Sequence, residues 1–226
     1  PYTEDLGGLP VINIRYVPLS NTLNAVAKRA VDIVGSLCGL IVTSPLLLIV
    51  AILIRATSKG PIIFSQERIG QHNHAFKMYK FRTMYVQDTT EEKKGWTTKN
   101  DPRVTKVGRI LRKTSIDELP QLFNILKGDM SMVGPRPERQ VIADQYAEEI
   151  PEFVFRTKVK AGLTGYAQVY GKYNTTPYDK LKFDITYIEN YSLWLDVKIM
   201  LLTFKILFQK ENTEGVDETQ QTALKD

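Results

Sequence analysis

The chain has 226 residues, of which 43% are hydrophobic, with a net charge of +5 and one cysteine, Cys38. This length suits one large or two small domains with a substantial core, and a single cysteine excludes an internal disulfide. A basic excess is typical of proteins that contact nucleic acid, an anionic membrane surface or phosphorylated substrates. Nucleic acid is not favoured, because the aromatic residues do not interleave with the Lys/Arg runs as a stacking platform would.

The first long apolar segment follows a short N-terminal region. Residues 1–22 hold glycines and prolines around a brief apolar run, and we interpret them as a linker or the end of a missing upstream domain. Residues 33–54 carry no charge, and 22 such residues are enough to cross a bilayer. Ser44-Pro45 lies at the middle of the segment, where proline removes a backbone donor and kinks a helix.

Lysine and arginine flank this apolar segment at both ends, and positive charge prefers the cytoplasmic side of a membrane. Both ends are therefore drawn to one face, which is typical of a re-entrant membrane helix-break-helix over residues 23–59. A proline-kinked spanning helix and a buried core helix are the two alternatives, and flank charge and length leave them open.

Downstream, the pattern predicts an α+β, mostly helical domain over residues 60–210. Alternation of apolar and polar residues predicts a β-hairpin, and apolar spacing of three and four predicts helices. The expected elements are a hairpin over 61–86, a loop over 87–102, a short basic helix over 103–113, a helix over 117–127 ended by Gly128, a helix over 138–150, an extended stretch over 156–171 and a helix over 179–191.

The last apolar segment, residues 193–208, is short for a membrane span. Trp194 at one end, with Lys198 and Lys205 on one face, predicts an amphipathic helix in the membrane interface. A core helix is an equal alternative. Residues 211–226 are acidic and polar, and we interpret them as a disordered tail.

Two adjacent carboxylates, Asp117 and Glu118, stand at the predicted start of a helix. Pro120 fits only a first helical turn, which makes Asp117 the expected N-cap. Ser115 and Glu118 also match the spacing of a capping box. Taken alone, the pair is explained by helix capping.

A basic run precedes this pair and gives it a second interpretation. Arg103, Lys106, Arg109 and Arg112 recur at three-residue spacing, so they are expected to share one helix face. Such a face either is solvated, contacts anionic lipid or clamps a diphosphate, whose oxygens match a guanidinium fork. Next to cations, an ionised Asp117 can serve as a nucleophile toward phosphorus or as a Mg²⁺ ligand.

Two further groups of cations are candidates for phosphate contact. Pro135 and Pro137 fix the backbone on either side of Arg136, which is either a pre-organised ligand or an exposed residue of a rigid turn. Lys80 and Arg82 fall on one side of the second hairpin strand, where they suit phosphate binding or simply mark a cationic strand edge.

These residues, in this order, resemble the monotopic phosphoglycosyl transferases, a family of bacterial sugar transferases. The resemblance covers about residues 24–210. The matching stretches are KRAVDIVGS before the apolar segment with Ser44-Pro45, then GPIIFSQERIG, YKFRTM, DPRVTKVGRILRKTSIDELPQLFNILKGDMSMVGPRP and GLTGYAQVYGK.

The resemblance implies a re-entrant helix with its break at Ser44-Pro45, at the cytoplasmic face of the bacterial inner membrane. It implies transfer of a sugar 1-phosphate from a UDP-sugar to polyprenyl (undecaprenyl) phosphate, with release of UMP and with Mg²⁺ as cofactor. Such a reaction is the first membrane step of capsule, exopolysaccharide or O-antigen synthesis.

The resemblance also implies residue roles. Asp117 matches the nucleophile of a covalent phosphosugar intermediate, and Glu118 is its partner. Arg112 and Arg136 match positions near the phosphates. Lys172 stands where many members have arginine, so it keeps the charge but loses the bidentate fork.

Two rival functions remain open from the sequence. One is a Mg²⁺-dependent transferase that works by single displacement in the same pocket. The other is a non-catalytic lipid-binding scaffold of a glycan assembly complex. The sugar is not specified, and a homodimer is one option for assembly.

Overall fold

The structure is a computed structural model that describes residues 17–86, 101–171 and 175–207, together with the strands Thr3–Leu6 (β1) and Leu9–Ile12 (β2). The two strands pair antiparallel within the segment predicted as a linker. The predicted loop over 87–102 lies almost wholly outside the described residues, and so do Lys172 and the predicted acidic tail.

The apolar segment forms one helix, α1, from Thr22 to Thr57, and it does not break at Ser44-Pro45 as predicted. Pro45 cannot donate to the Ile41 carbonyl one turn earlier. The Ser44 hydroxyl donates to that carbonyl instead, at 2.8 Å. Because the freed acceptor is satisfied locally, the helix continues through the proline.

Both halves of α1 pack on the rest of the protein. Near its start, Asp32 Oδ1 accepts hydrogen bonds from the Ser131 hydroxyl and the Met132 backbone N–H, each at 2.9 Å. Near its end, Val50 and Ile54 are buried in a separate apolar cluster. Between these two contacts, many apolar side chains of α1 are exposed. Among the described residues, α1 is the one helix long and apolar enough to cross a membrane.

The predicted β-hairpin is confirmed. Strand β3, Ile63–Ile69, pairs antiparallel with β4, Ala75–Phe81, and the register places Phe64 opposite Lys80. The predicted short basic helix is α2, Lys106–Lys113, which begins three residues later than expected because Thr105 caps it by accepting from the Gly108 N–H at 2.8 Å.

Five helices and a two-stranded parallel sheet complete the described domain. Each of these elements contributes buried apolar side chains to the cores except the short α5, whose Tyr166 and Val169 pack against one core while only partly buried. The elements are α3 (Gln121–Lys127), β5 (Met130–Val133), α4 (Gln140–Glu149), β6 (Ala161–Thr164), α5 (Tyr166–Tyr170), α6 (Pro177–Glu189) and α7 (Leu193–Leu207).

One prediction about this region needs correction, and one stays open. The stretch expected to be extended is a 3₁₀ segment, Pro151–Lys158, followed by the short strand β6 and the helix α5. Helix α7 is neither wholly buried nor wholly free. Ile199 is buried on one face, whereas Trp194 and Phe204 are exposed on the other.

Candidate functional site

Asp117 and Glu118 do not begin a helix in the predicted way. Both lie in a 3₁₀ turn, Ile116–Glu118, and α3 begins only at Gln121 after Pro120. Ser115, just before the turn, has a left-handed backbone (φ 55°) and makes no capping hydrogen bond, so the predicted N-cap and capping box are wrong. A left-handed non-glycine residue is strained, and Ser115 adopts this conformation at the junction between α2 and the turn.

Glu118 forms ion pairs with two cations of the site. Its Oε1 atom accepts from Lys80 Nζ and from Arg136 Nη2, both at 2.7 Å. Burial by itself would raise the pKa of Glu118, but the charges of Arg136 and Lys80 outweigh burial and lower it to about 2. Glu118 is therefore a permanent anion that holds two cations beside Asp117.

Asp117 is in a different electrostatic position. It is buried, and none of the described residues forms an ion pair or a side-chain hydrogen bond with its carboxylate. Burial, together with the neighbouring Glu118 charge, raises the pKa of Asp117 to about 6, although Lys80 and Arg112 act in the opposite direction. Asp117 thus combines an ionised form at neutral pH with free oxygen lone pairs.

Arg112 and Arg136 reach this site from different elements. The Arg112 Nε atom donates to the Thr83 hydroxyl at 2.8 Å, and its charge acts on Asp117. Lys106 and Arg109, which were expected on the same face, are exposed, and Arg103 pairs with Asp101 at 2.6 Å. The basic run therefore contributes one arginine to the site.

The Pro135-Arg136-Pro137 turn is fixed by its neighbours. Arg156, which is buried, donates from Nη2 to the Arg136 carbonyl at 2.9 Å and pairs with Asp184 at 2.7 Å. Arg68 donates to the Pro137 carbonyl at 3.4 Å. These supports were missed because they lie 20 to 69 residues away in the chain, and no local pattern marks them.

Arg82 is not part of the site. It is buried, and its guanidinium donates to the Ser58 carbonyl at 2.9 Å and to the Lys59 carbonyl at 2.8 Å, where it satisfies acceptors at the end of α1. The structure thus brings together Lys80, Arg112, Asp117, Glu118 and Arg136 and leaves Arg82 outside.

A cavity of about 250 Å³ is lined in part by Pro135, Arg136 and Pro137. Alanines and aromatic or branched side chains form much of its wall, including Ala143 and Phe153, and polar groups such as Asn73 and Thr157 stand among them. Because Arg136 belongs to this wall while its side chain reaches Glu118, the cavity and the carboxylate pair are adjacent.

The donor set of the site is compatible with Mg²⁺. No group of three or more His, Cys, Asp or Glu side chains that could hold a metal occurs among the described residues. Mg²⁺, however, often takes only one or two carboxylates and completes its shell with waters and substrate phosphates. Asp117 has a free carboxylate for that purpose, whereas Oε1 of Glu118 is already engaged by two cations.

A buried carboxylate with cations around it, on a protein with a long exposed apolar helix, suits contact with a phosphate at a membrane surface. The family model described as "Bacterial sugar transferase" matches residues 23–210. The chain belongs to the bacterial sugar transferase family.

Curated relatives support this assignment. The chain is 46% identical over 206 residues to a UDP-glucose:undecaprenyl-phosphate glucose-1-phosphate transferase of Klebsiella pneumoniae, covering 89% of this chain and 44% of the relative. It is 43% identical over 192 residues to a UDP-N-acetylgalactosamine-undecaprenyl-phosphate N-acetylgalactosaminephosphotransferase of Aeromonas hydrophila, covering 84% and 45%. It is 41% identical over 204 residues to a glucose-1-phosphate transferase of Caulobacter vibrioides, covering 86% and 74%. The chain thus spans less than half the length of the first two.

Proposed function

We propose that this protein transfers a sugar 1-phosphate from a UDP-sugar to undecaprenyl phosphate and releases UMP. The observation that carries the proposal is the Asp117 carboxylate, which is buried, flanked by cations and left without a side-chain partner by the described residues. The names of the relatives supply the substrate class. Those names differ in the sugar, so the sugar is left open.

In the first step, an Asp117 carboxylate oxygen attacks the phosphorus that carries the sugar. A bond forms between the carboxylate oxygen and phosphorus, and the bond from phosphorus to the bridging oxygen breaks. UMP leaves with that oxygen and its electron pair. In the second step, an undecaprenyl phosphate oxygen attacks the same phosphorus, and Asp117 leaves as a free carboxylate.

Arg112, Arg136 and Lys80 stabilise the charge that develops on the phosphate oxygens. Pre-organised cations of this kind act without reorganisation during the reaction. Glu118 serves as the fixed anion that positions Lys80 and Arg136, because a carboxylate with a pKa of about 2 is a poor proton acceptor at neutral pH. Bound Mg²⁺, held by Asp117 and the substrate diphosphate, would neutralise phosphate charge. The cavity behind Arg136 offers space for the nucleoside of the donor.

The location we propose is the cytoplasmic face of the inner membrane, with α1 re-entrant rather than spanning. Because α1 is continuous through Pro45, this arrangement requires a kink at the proline and not a break in the helix. Support comes from α1 itself, since both its halves pack on the same folded unit, whereas a spanning helix carries its ends to opposite sides. Helix α7, with Trp194 and Phe204 exposed, would lie in the interface. A homodimer stays a prediction.

Topology can be tested with cysteines at the two ends of α1, in a Cys38→Ser background. Thr22→Cys and Thr57→Cys should both react with a membrane-impermeant maleimide in inside-out vesicles, and neither should react in right-side-out vesicles. Reaction of the two cysteines from opposite sides would establish a spanning helix.

The reaction is tested by a UMP-release screen across UDP-sugars, with the protein in nanodiscs that contain undecaprenyl phosphate. We expect release with one or a few sugars and none from the Asp117→Asn variant. Without acceptor, a phosphosugar labelled with ³²P should remain covalently bound to the protein. UMP release without a trapped adduct would favour single displacement, and no release with any UDP-sugar would favour a scaffold.

A further inference from the structure

Gln121 carries an unexplained hydrogen-bond donor beside the candidate nucleophile. It is the first residue of α3 and only 2% exposed, and its Nε2 atom has no hydrogen-bond partner among the described residues. Buried amide donors are nearly always paired, because an unpaired one loses its hydration without compensation. The acceptor for this donor must come from outside the described residues, as a water or as a ligand group.

The backbone places this donor one helical turn after Asp117. Leu119 and Pro120 keep right-handed helical dihedrals between the 3₁₀ turn and α3. Residues four apart on such a backbone share one face, with Cβ atoms about 5–6 Å apart. The tighter 3₁₀ turn rotates Asp117 partly off that face, so Asp117 and Gln121 lie on consecutive turns of one helical stretch.

The direction of this face is given by Asn124, one further turn along. Asn124 accepts from the Tyr79 N–H at 3.0 Å and donates to the Lys77 carbonyl at 2.8 Å, so the face points at strand β4. The next residue of β4 is Lys80, which pairs with Glu118. The amide of Asn124 is fully used, since Nδ2 also donates to Asp129 at 3.2 Å. Nε2 of Gln121, the residue between Asn124 and Asp117, has no such partner among the described residues.

We propose that Gln121 is a catalytic residue that donates a hydrogen bond from Nε2 to a non-bridging oxygen of the sugar-bearing phosphate. The inference rests on the proposed function, in which that phosphate sits on Asp117. No bond to Gln121 forms or breaks, and its proton stays on nitrogen. A neutral donor suits this position, because it stabilises charge on the phosphate. Another cation at this place would also make Asp117 less basic, whereas a neutral amide does not.

The test uses two isosteric variants and one control in the full chain. Gln121→Met removes the donor and keeps the volume, and Gln121→Glu replaces the donor by an acceptor. Gln145→Met is the control, since Gln145 is exposed on α4. Single-turnover formation of the ³²P-phosphosugar adduct, its dependence on UDP-sugar concentration, and the melting temperature are measured for each.

We expect Gln121→Met to slow adduct formation by at least tenfold, to change the half-saturating UDP-sugar concentration less than threefold, and to leave the melting temperature at or above that of the unchanged chain. For Gln121→Glu, activity relative to the unchanged chain should recover as the pH falls, because a protonated carboxyl regains a donor. The Gln145→Met control should behave as the unchanged chain.

Adduct formation at the unchanged rate in both Gln121 variants would overturn the inference while leaving the proposed function standing. A lowered melting temperature without a slower chemical step would assign Gln121 a purely structural role and would also overturn it. Failure of the proposed function looks different, since the unchanged chain would then form no adduct at all.

Discussion

Asp117→Asn should make the protein more stable at neutral pH while it abolishes turnover. The folded-state pKa of Asp117 is about 6 against an ordinary value of 3.8, so the folded chain binds a proton more readily than the unfolded chain. Stability therefore falls as the pH rises from about 4 to 6, and the penalty is fully present above 6. At about 1.4 kcal/mol per pKa unit, the penalty is about 3 kcal/mol. The neutral amide of asparagine avoids it.

The assay is thermal unfolding of both proteins in the same detergent between pH 4 and pH 8. For a domain of this size, about 3 kcal/mol corresponds to a rise of roughly 6–12 °C in the melting temperature above pH 6. The difference should shrink to less than about 1 kcal/mol near pH 4, where Asp117 is protonated in the folded chain and only about half ionised in the unfolded chain. An Asn variant that melts at or below the unchanged chain at pH 7.5 would refute the assigned pKa and its cause. Turnover of the unchanged chain should likewise rise through pH 6 as Asp117, the proposed nucleophile, ionises.

Three further outcomes are expected. Lys28→Met removes one partner of a buried ion pair with Asp196 (2.6 Å) and should lower the free energy of unfolding by about 3–5 kcal/mol; a smaller loss in chemical denaturation would show that Asp196 finds another partner. Arg136→Lys keeps the charge but loses the two-pronged contact with Glu118, and it should reduce kcat/KM for UMP release about tenfold, with an unchanged value counting against the role of Arg136. Ala143→Trp should fill the cavity and raise KM for the UDP-sugar about tenfold at constant melting temperature. An unaltered KM would show that the nucleoside does not bind in that cavity.

Much of the secondary structure could be read from the sequence, because the signals are local. Alternation identified the hairpin of β3 and β4, and the uncharged run identified α1. Gly128 ends α3 with a left-handed backbone (φ 95°), as glycine allows. The start of α3 was predicted wrongly, since the capping pattern at Ser115 is overridden by the tight turn that joins α2 to α3.

The residue types of the candidate site could be predicted from the sequence, but the different roles of its two carboxylates could not. Asp117 and Glu118 have the same neighbours along the chain, so the sequence does not show which of the two carboxylates pairs with the cations. In the fold, Lys80 from β4 and Arg136 from the turn after β5 both bind Glu118, which leaves Asp117 unpaired. Arg82 differs from Lys80 by two positions, yet it turns toward the end of α1.

The amino-acid sequence by itself determined the family, the membrane-like helix and the presence of a carboxylate pair among cations, because each is encoded by residue type and short-range spacing. Only the tertiary structure decided which carboxylate stays free. Ion pairing and burial depend on side chains that are 18 to 38 residues apart in the chain. Their combined effect separates two adjacent acids, one with a pKa of about 2 and one with a pKa of about 6. That separation gives Glu118 a holding role and leaves Asp117 available to react.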